Sequence, residues 1–237
     1  MDFREKLINA FNDNNIELTS VQADMFCKYR DMMLEYNAIH NLTSITDDEG
    51  VILKHFVDSV LPYKNIPDGA RVIDIGTGAG FPSIPLLIMN NSLHFVLIDS
   101  VEKKIKFVQS VVDEFGFEHV DVIHTRAEEL ANKPEYRETF DYTVARAVSM
   151  LSTLMEYSIP FLKVGGSMLC YKGVGYQEEI DASKNSFGLL GCKVDGIDEY
   201  FVKGLDTSRY VIKISKQKPT DKKYPRGMNK PRLKPLG

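Results

Sequence analysis

Two textures divide the chain. Through residues 2–61, apolar positions recur at helical spacing. Phe3, Leu7, Ile8 and Phe11 form one stripe, broken by Asn14-Asn15. Thr19 or Ser20 caps a second helix, with Gln22 as the capping-box partner of Thr19. Its stripe is Met25, Phe26, Tyr29, Met32, Met33 and Tyr36, a methionine–aromatic face that reads as core packing. Asp47 or Asp48 caps a third helix through Leu61, and Pro62 ends it.

From Ala70 onward, short apolar runs alternate with helical stripes, the pattern of a parallel sheet carrying helices on its faces. The predicted strands cover 71–75, 94–98 (running out at Asp99), 120–123, 140–145 and 167–171, the last entered through a Gly165-Gly166 turn. Pro82 and Pro85 fit the first turn of one intervening helix. Ser100 caps the next, whose stripe is Ile105, Val108, Val111, Val112 and Phe115 and which Gly116 stops. Further helices are predicted near 151–161 and over 178–187. Residues 194–202 and 210–215 read as a terminal antiparallel pair. The fold class is α/β: a Rossmann-like sheet, mostly parallel with its last strand antiparallel, behind an N-terminal helical extension. The expected divisions are 1–62 for the extension, 63–216 for the sheet domain and 217–237 for a C-terminal tail. No internal repeat is visible.

Charge changes this picture at one end. Residues 216–237 hold eight Lys/Arg against one acid, leaving 21 basic and 32 acidic residues elsewhere. An acidic pI therefore hides a basic arm of the kind that meets nucleic acid. With four prolines and few apolar residues, the arm is expected to be extended or disordered when free. No apolar run approaches the ~20 residues of a membrane span. The opening Met-Asp-Phe-Arg-Glu-Lys does not read as a signal peptide. Cys27, Cys170 and Cys192 form no metal motif and suit a reduced, cytoplasmic setting. The five histidines show no metal spacing, so no metal is expected. A monomer is expected.

The chemistry concentrates in residues 72–81, Val-Ile-Asp-Ile-Gly-Thr-Gly-Ala-Gly-Phe. An apolar strand enters a glycine turn, where a ligand can approach bare backbone. The glycines are Gly76, Gly78 and Gly80, and Phe81 stands where a dinucleotide fingerprint would need its third glycine. No Gly-Lys-Ser/Thr follows, so a triphosphate loop is excluded. The acid-x-Gly-x-Gly-x-Gly pattern from Asp74 looks like the first motif of S-adenosylmethionine-dependent methyltransferases of class I. Two further features fall at strand ends, where ligands of such sheets bind. Asp99 can accept bonds from ribose hydroxyls, and Thr125-Arg126-Ala127-Glu128 lies where an adenine ring would sit. Plainer readings stand beside these. Asp99 can simply open a helix, and Glu128 can serve a helix dipole. Arg146 and Lys172, each ending a strand, are either structural ion pairs or cations poised over a site. His55 and Asp58, at i and i+3, read as a structural pair.

The glycine loop continues as Phe81-Pro82-Ser83-Ile84-Pro85-Leu86. Asn41-Leu42-Thr43-Ser44-Ile45 and His55-Phe56-Val57-Asp58-Ser59 precede it. Ala145-Arg146-Ala147-Val148 and Tyr224-Pro225-Arg226 follow. Together these resemble the RsmG (GidB) family of bacterial 16S ribosomal RNA guanine-N7 methyltransferases, over nearly the whole chain. The resemblance implies a methyltransferase sheet with a helical extension, the cofactor S-adenosyl-L-methionine with product S-adenosyl-L-homocysteine, and methylation of guanine 527 (ribosomal RNA numbering) in the small ribosomal subunit. It implies that Gly76 and Phe81 meet the cofactor, that Ala127 and Glu128 flank its adenine with Arg146 lining the same pocket, and that Asp99 holds the ribose. Gly78 and Gly80 belong to the same cofactor loop.

The residues agree with that chemistry. An exocyclic-amine methyltransferase would carry Asn/Asp-Pro-Pro-aromatic after the fourth strand, where Ala-Arg-Ala-Val stands. Pyrimidine C5 methylation needs a cysteine nucleophile, and no cysteine has a suitable loop. Guanine N7 has a lone pair and no proton, so in-line alignment suffices without a general base. The candidate catalytic residues are Arg146 and Lys172, either of which could fix guanine through O6 or a phosphate. Phe81 or Tyr171 could stack on an unpaired guanine, and the tail could meet RNA phosphates. A small-molecule or protein methyltransferase, and a non-catalytic ribosome-assembly module that kept the pocket, are the competing readings.

Overall fold

The computed structural model describes residues 1–146 and 149–237. Its centre is a seven-stranded sheet of order β3-β2-β1-β4-β5-β7-β6. The strands are β1 (Arg71–Ile75), β2 (His94–Asp99), β3 (Val120–His124), β4 (Phe140–Arg146), β5 (Leu162–Lys172), β6 (Cys192–Tyr200) and β7 (Arg209–Lys216). β1 to β5 pair in parallel, and β7 runs antiparallel to both β5 and β6. The mostly parallel sheet with its last strand reversed is therefore present. Order reverses between β1 and β4, so the turn after β1 opens at the topological switch point where such sheets take ligands.

Strand alternation sends successive residues to opposite faces. Val72, Phe95, Leu97, Val144 and Leu169 enter one core, and Ile73, Ile75, Val96, Ile98 and Cys170 enter the other. The first face is covered by α1 (Phe3–Asp13), α2 (Ser20–His40), α5 (Ser83–Met89) and α6 (Glu102–Phe115). Leu7, Phe11, Phe26, Tyr29 and Met33 share one cluster with the sheet residues, so the N-terminal helices complete the sheet's own core. The second face is covered by α7 (Ala127–Leu130), α8 (Leu151–Ser158), α9 (Tyr176–Ala182) and α10 (Lys184–Leu190).

The capping residues act largely as expected. Thr19 and Gln22 form a capping box, and Asp47 accepts from the Gly50 N–H. The third helical run differs in kind: it opens as α3 (Asp48–Gly50), widens into a π-helix over Val51–Val57 and closes as α4 (Asp58–Val60). The wide turn is a form enriched at functional sites.

Four local expectations need correction. Ser100 does not cap α6: Val101 does, and the Asp99 carboxylate takes the Val101 N–H instead. Pro82 stands at the N-cap of α5, outside its first turn. β5 begins at Leu162, with Gly165-Gly166 inside it, because a Gly166 Cβ would meet the Asp141 carbonyl at 2.8 Å and only glycine lets β4 approach so closely. The tail is packed, contrary to the expectation of disorder. Tyr224 and Pro231 are buried, and a short α11 (Lys230–Leu233) forms near the end. Among the contacts that hold it, Arg137 donates to the carbonyls of Thr220, Asp221 and Tyr224, Thr153 Oγ1 donates to the Pro231 carbonyl, and Arg226 grips buried Glu156. The second half of Ala145-Arg146-Ala147-Val148 lies outside the described residues.

Tyr29 links the helical layer to the glycine turn. Its ring lies among Phe56, Phe81 and Phe107, and its hydroxyl donates to the Ala79 carbonyl at 2.6 Å. Tyr29→Phe keeps the packing and leaves that buried carbonyl short of a donor. The variant is expected to lose about 1–3 kcal/mol of stability in urea unfolding.

Candidate functional site

A cleft of about 470 Å³ opens beyond the carboxyl ends of β1 to β4, a volume in the range of small-molecule sites. Its floor is the turn after β1. Gly76 and Gly78 have φ of 75° and 63°, in the left-handed region that glycine tolerates. A Cβ on Gly78 would meet nothing nearer than 3.9 Å, so this stretch of backbone lies open to a ligand. Gly80 does not line the cleft. It faces the helical layer, where a Cβ would fall 2.6 Å from Ile84 Cγ1 and 3.0 Å from Tyr29 Oη. Its part is to let the turn pack.

Asp74 is fully buried beneath the turn and accepts from Ser83 Oγ, while its Oδ1 has no partner among the described residues. Burial pushes this carboxyl up to about 7, against the lowering effect of the Ser83 bond.

Asp99, at the end of β2, is buried in the cleft wall. Its Oδ2 accepts from Gly78 N at 3.1 Å and its Oδ1 from Val101 N at 2.9 Å. Each carboxylate oxygen has a second lone pair, so the group that fixes the turn can also accept from a ligand hydroxyl. The wall after β3 is Thr125, Arg126, Ala127 and Glu128. Glu128 is 7% exposed, yet its Oε1 has no hydrogen-bond partner among the described residues. A buried carboxylate oxygen is costly to leave unpaired, which marks it as an acceptor awaiting a donor. A nucleoside with ribose hydroxyls and an amino group thus fits the donors and acceptors present, as S-adenosyl-L-methionine requires.

The opposite wall carries Arg146, Phe81, His55 and Thr43. Arg146 ends β4 and reaches into the π-helix. Its NH1 donates to Asp58 Oδ2 at 3.0 Å and to the Lys54 carbonyl at 3.0 Å. Its NH2 lies 3.3 Å from His55 Nδ1, and its guanidinium stands 4.9 Å from the Phe81 centroid. A guanidinium only donates, so Nδ1 accepts and His55 carries its proton on Nε2, 2.9 Å from Thr43 Oγ1. The imidazole stacks on Phe81 with centroids 4.4 Å apart. Burial, and then Arg146, pull the His55 pKa down to about 4. The sequence pairing of His55 with Asp58 is replaced by a shared partner: both hold Arg146.

Of the sequence candidates, Gly76, Gly78, Phe81, Asp99, Ala127, Glu128 and Arg146 meet at this cleft. Lys172 does not line it. Its Nζ donates to Glu179 Oε2 at 2.7 Å and to the Ser149 carbonyl at 3.1 Å, and the same Glu179 oxygen accepts from Leu151 N at the start of α8. Tyr171 is buried and donates to the Ser59 carbonyl, so it offers no stacking face. Sequence reasoning missed Tyr157, Asn229 and Arg232 as lining residues. The last two come from the tail, and no local pattern marks a tail as part of a cleft.

Among the described residues, no group of three or more His, Cys, Asp or Glu could hold a metal ion, and no helix is long and apolar enough to cross a membrane.

The GidB family, described as rRNA small subunit methyltransferase G, matches residues 22–209. A ribosomal RNA small subunit methyltransferase G from Acetivibrio thermocellus is 42% identical over 237 residues, covering 100% of this chain and 98% of that one. One from Desulfitobacterium hafniense is 43% identical, covering 94% and 92%. Among solved structures, a SAM-dependent methyltransferase from Aquifex aeolicus superposes with a TM-score of 0.52 at 16% identity, over 74% of this chain and 97% of that one, a likeness of fold.

The lowered His55 pKa has a measurable consequence. The unfolded imidazole titrates near 6.5 and the folded one near 4, so the unfolded state binds more protons between those values. This contribution to stability is intact above about 6.5 and is lost as pH falls toward 4, at up to about 1.4 kcal/mol per pH unit. In NMR titration the His55 ring is expected to stay neutral at pH 5.5. A midpoint near 6.5 would contradict the assigned tautomer and its bond from Arg146.

Proposed function

The chain belongs to the rRNA small subunit methyltransferase G (GidB) family, and on that premise we propose that it methylates N7 of guanine 527 in the 16S RNA of the small ribosomal subunit. The methyl donor is S-adenosyl-L-methionine, which when bound supplies an electrophilic methyl on a sulfonium. Gly76 and Gly78 would offer it bare backbone, Asp99 would accept from its ribose hydroxyls, and Ala127 with Glu128 would receive its base; all five line the cleft. The observation that carries this reading is the pair of buried carboxylates facing one cleft, one with a spare lone pair and one with an oxygen that has no hydrogen bond among the described residues.

The acceptor follows from what the cleft can do. Guanine N7 presents a lone pair and no proton, so the protein need only orient the base and exclude water. The groups nearby suit that limited task. His55 stays neutral with Nδ1 engaged by Arg146, so it is no free base. Cys170 and Cys192 are buried, and burial pushes both thiols up to about 12, which argues against nucleophilic attack on a pyrimidine. Arg146 lines the cleft beside His55 and Phe81, and we assign it to orient the base or the donor through a remaining N–H. Lys172 is assigned to hold the entry of α8 behind Ser149. The protein acts as a monomer in the cytoplasm, where small subunits are assembled.

The test uses small subunits from cells lacking this gene and methyl-labelled S-adenosyl-L-methionine, with label mapped by cleavage at N7-methylguanine. Label at a single guanine, 527, is the expected result. Label elsewhere, or cofactor binding without transfer, would overturn the assignment in favour of another acceptor or a binding-only role. Asp99→Ala is expected to weaken S-adenosyl-L-homocysteine binding about 10- to 100-fold in calorimetry. Arg146→Ala is expected to lower turnover at least about 100-fold by loosening alignment. Retention of wild-type turnover and cofactor affinity would remove Arg146 from the site.

A further inference from the structure

The tail contributes a residue to the cleft that bears on the unpaired Glu128. Asn229 lines the cleft, and its Oδ1 accepts from Arg126 NH1 at 2.8 Å. That NH1 lies 3.7 Å from Glu128 Oε1, an ion-pair approach beyond hydrogen-bond range. Arg126 thus stands between two acceptors, one on the tail and one on α7, and bonds the neutral one. A guanidinium released from Asn229 would find a buried carboxylate oxygen with nothing else bonded to it, and charge-assisted pairs are about twice as strong as neutral ones.

The tail is fastened on both sides of Asn229. Upstream, Arg226 binds fully buried Glu156 through its backbone N, Nε and NH2, at 2.8, 2.8 and 2.7 Å. Downstream, Thr153 Oγ1 donates to the Pro231 carbonyl at 2.9 Å. The side chain that holds Arg126 is therefore set by the docked tail.

We propose that Asn229 is a positioning residue for the cofactor's base. It draws Arg126 aside, so that Glu128 Oε1 remains open to accept a hydrogen bond from the amino group of adenine. This rests on the reading that the cleft takes S-adenosyl-L-methionine. It assigns the tail a part in nucleoside recognition, separate from any contact with RNA. It also gives a basis for selectivity: a 6-oxo purine presents an acceptor to Glu128 where adenine presents a donor, and a site built around an unpaired acceptor rejects the wrong partner strongly.

The experiment is calorimetric binding of S-adenosyl-L-homocysteine and of its deaminated analogue, S-inosyl-L-homocysteine, to the full chain. The wild type is expected to prefer the adenosyl ligand. Asn229→Ala is expected to weaken the adenosyl ligand about tenfold or more, with a smaller change for the inosyl ligand, so the preference shrinks. Asn229→Asp, which keeps the acceptor, is expected to retain it. The double variant Arg126→Ala/Asn229→Ala is expected to recover adenosyl affinity, because no guanidinium remains to cap Glu128. A residue that only stabilised the tail would not be rescued by deleting Arg126, and that recovery reads the proposal even if Asn229→Ala alone is poorly folded. Unchanged affinity in Asn229→Ala, equal weakening of both ligands, or no recovery in the double variant would each overturn it. If the wild type binds neither ligand, the cofactor reading fails and this assignment with it. Wild-type binding with an unaffected Asn229→Ala removes this assignment alone.

Discussion

A single buried carboxylate ties the helical layer to the end of the sheet. Asp58 Oδ2 accepts from Arg146 at the end of β4, and its Oδ1 lies 3.2 Å from Arg209 at the start of β7. Arg146 in turn reaches the Lys54 carbonyl of the π-helix, the His55 ring and the face of Phe81. Helix, glycine turn, central strand and reversed strand thus meet on one guanidinium–carboxylate pair. Buried ion pairs often contribute little net stability, because desolvation offsets the attraction. What such a pair fixes well is geometry. It holds a cation at the rim of the cleft with most of its donors already committed, so the remaining direction of approach is defined.

The chemistry follows from that commitment. A site that must remove a proton needs a base with a free lone pair and a suitable pKa. Here the imidazole beside the cleft is neutral, stacked on Phe81 and bonded at both nitrogens. The arrangement suits a nucleophile that brings its own lone pair, and it places the burden on alignment and recognition. The carboxylates on the other wall are the groups proposed for recognition. Asp99 serves twice, bracing the glycine turn through Gly78 and keeping lone pairs for a ligand. Glu128 keeps an oxygen with no hydrogen bond among the described residues, only the Arg126 guanidinium 3.7 Å away. Such an orphan persists because the rest of the fold pins it in place.

Much of this was legible in the sequence, for identifiable reasons. Strand alternation and the glycine turn are local signals, so β1 to β4, Gly76, Gly78, Asp99 and the Ala127-Glu128 turn could be placed before any coordinates. Gly80 belonged to the motif but not to the cleft wall, because a glycine can be required by what packs behind it, here Ile84 and Tyr29. Lys172 and Arg146 looked equivalent as strand-end cations. Only tertiary partners separate them, Glu179 behind the wall for one and Asp58 at the rim for the other. The tail was misread because composition reports on the free chain. Its fastening depends on Glu156 and Arg137, far away in sequence, and on a few scattered buried residues, Thr220, Tyr224, Pro225 and Pro231, which form no periodic pattern. The π-helix was invisible for a related reason: its hydrophobic positions resemble those of an ordinary helix.

Asp58 and Arg146 act as one unit that sets the cleft. A double-mutant cycle tests it, using Asp58→Ala, Arg146→Ala and the double variant, read by urea unfolding and by S-adenosyl-L-homocysteine affinity. Strong coupling is expected in both readouts, on the order of 1–3 kcal/mol, with the double variant losing much less than the sum of the singles. Additive losses would contradict it, since they would mean that each residue serves its neighbours independently and that the pair does not organise the site.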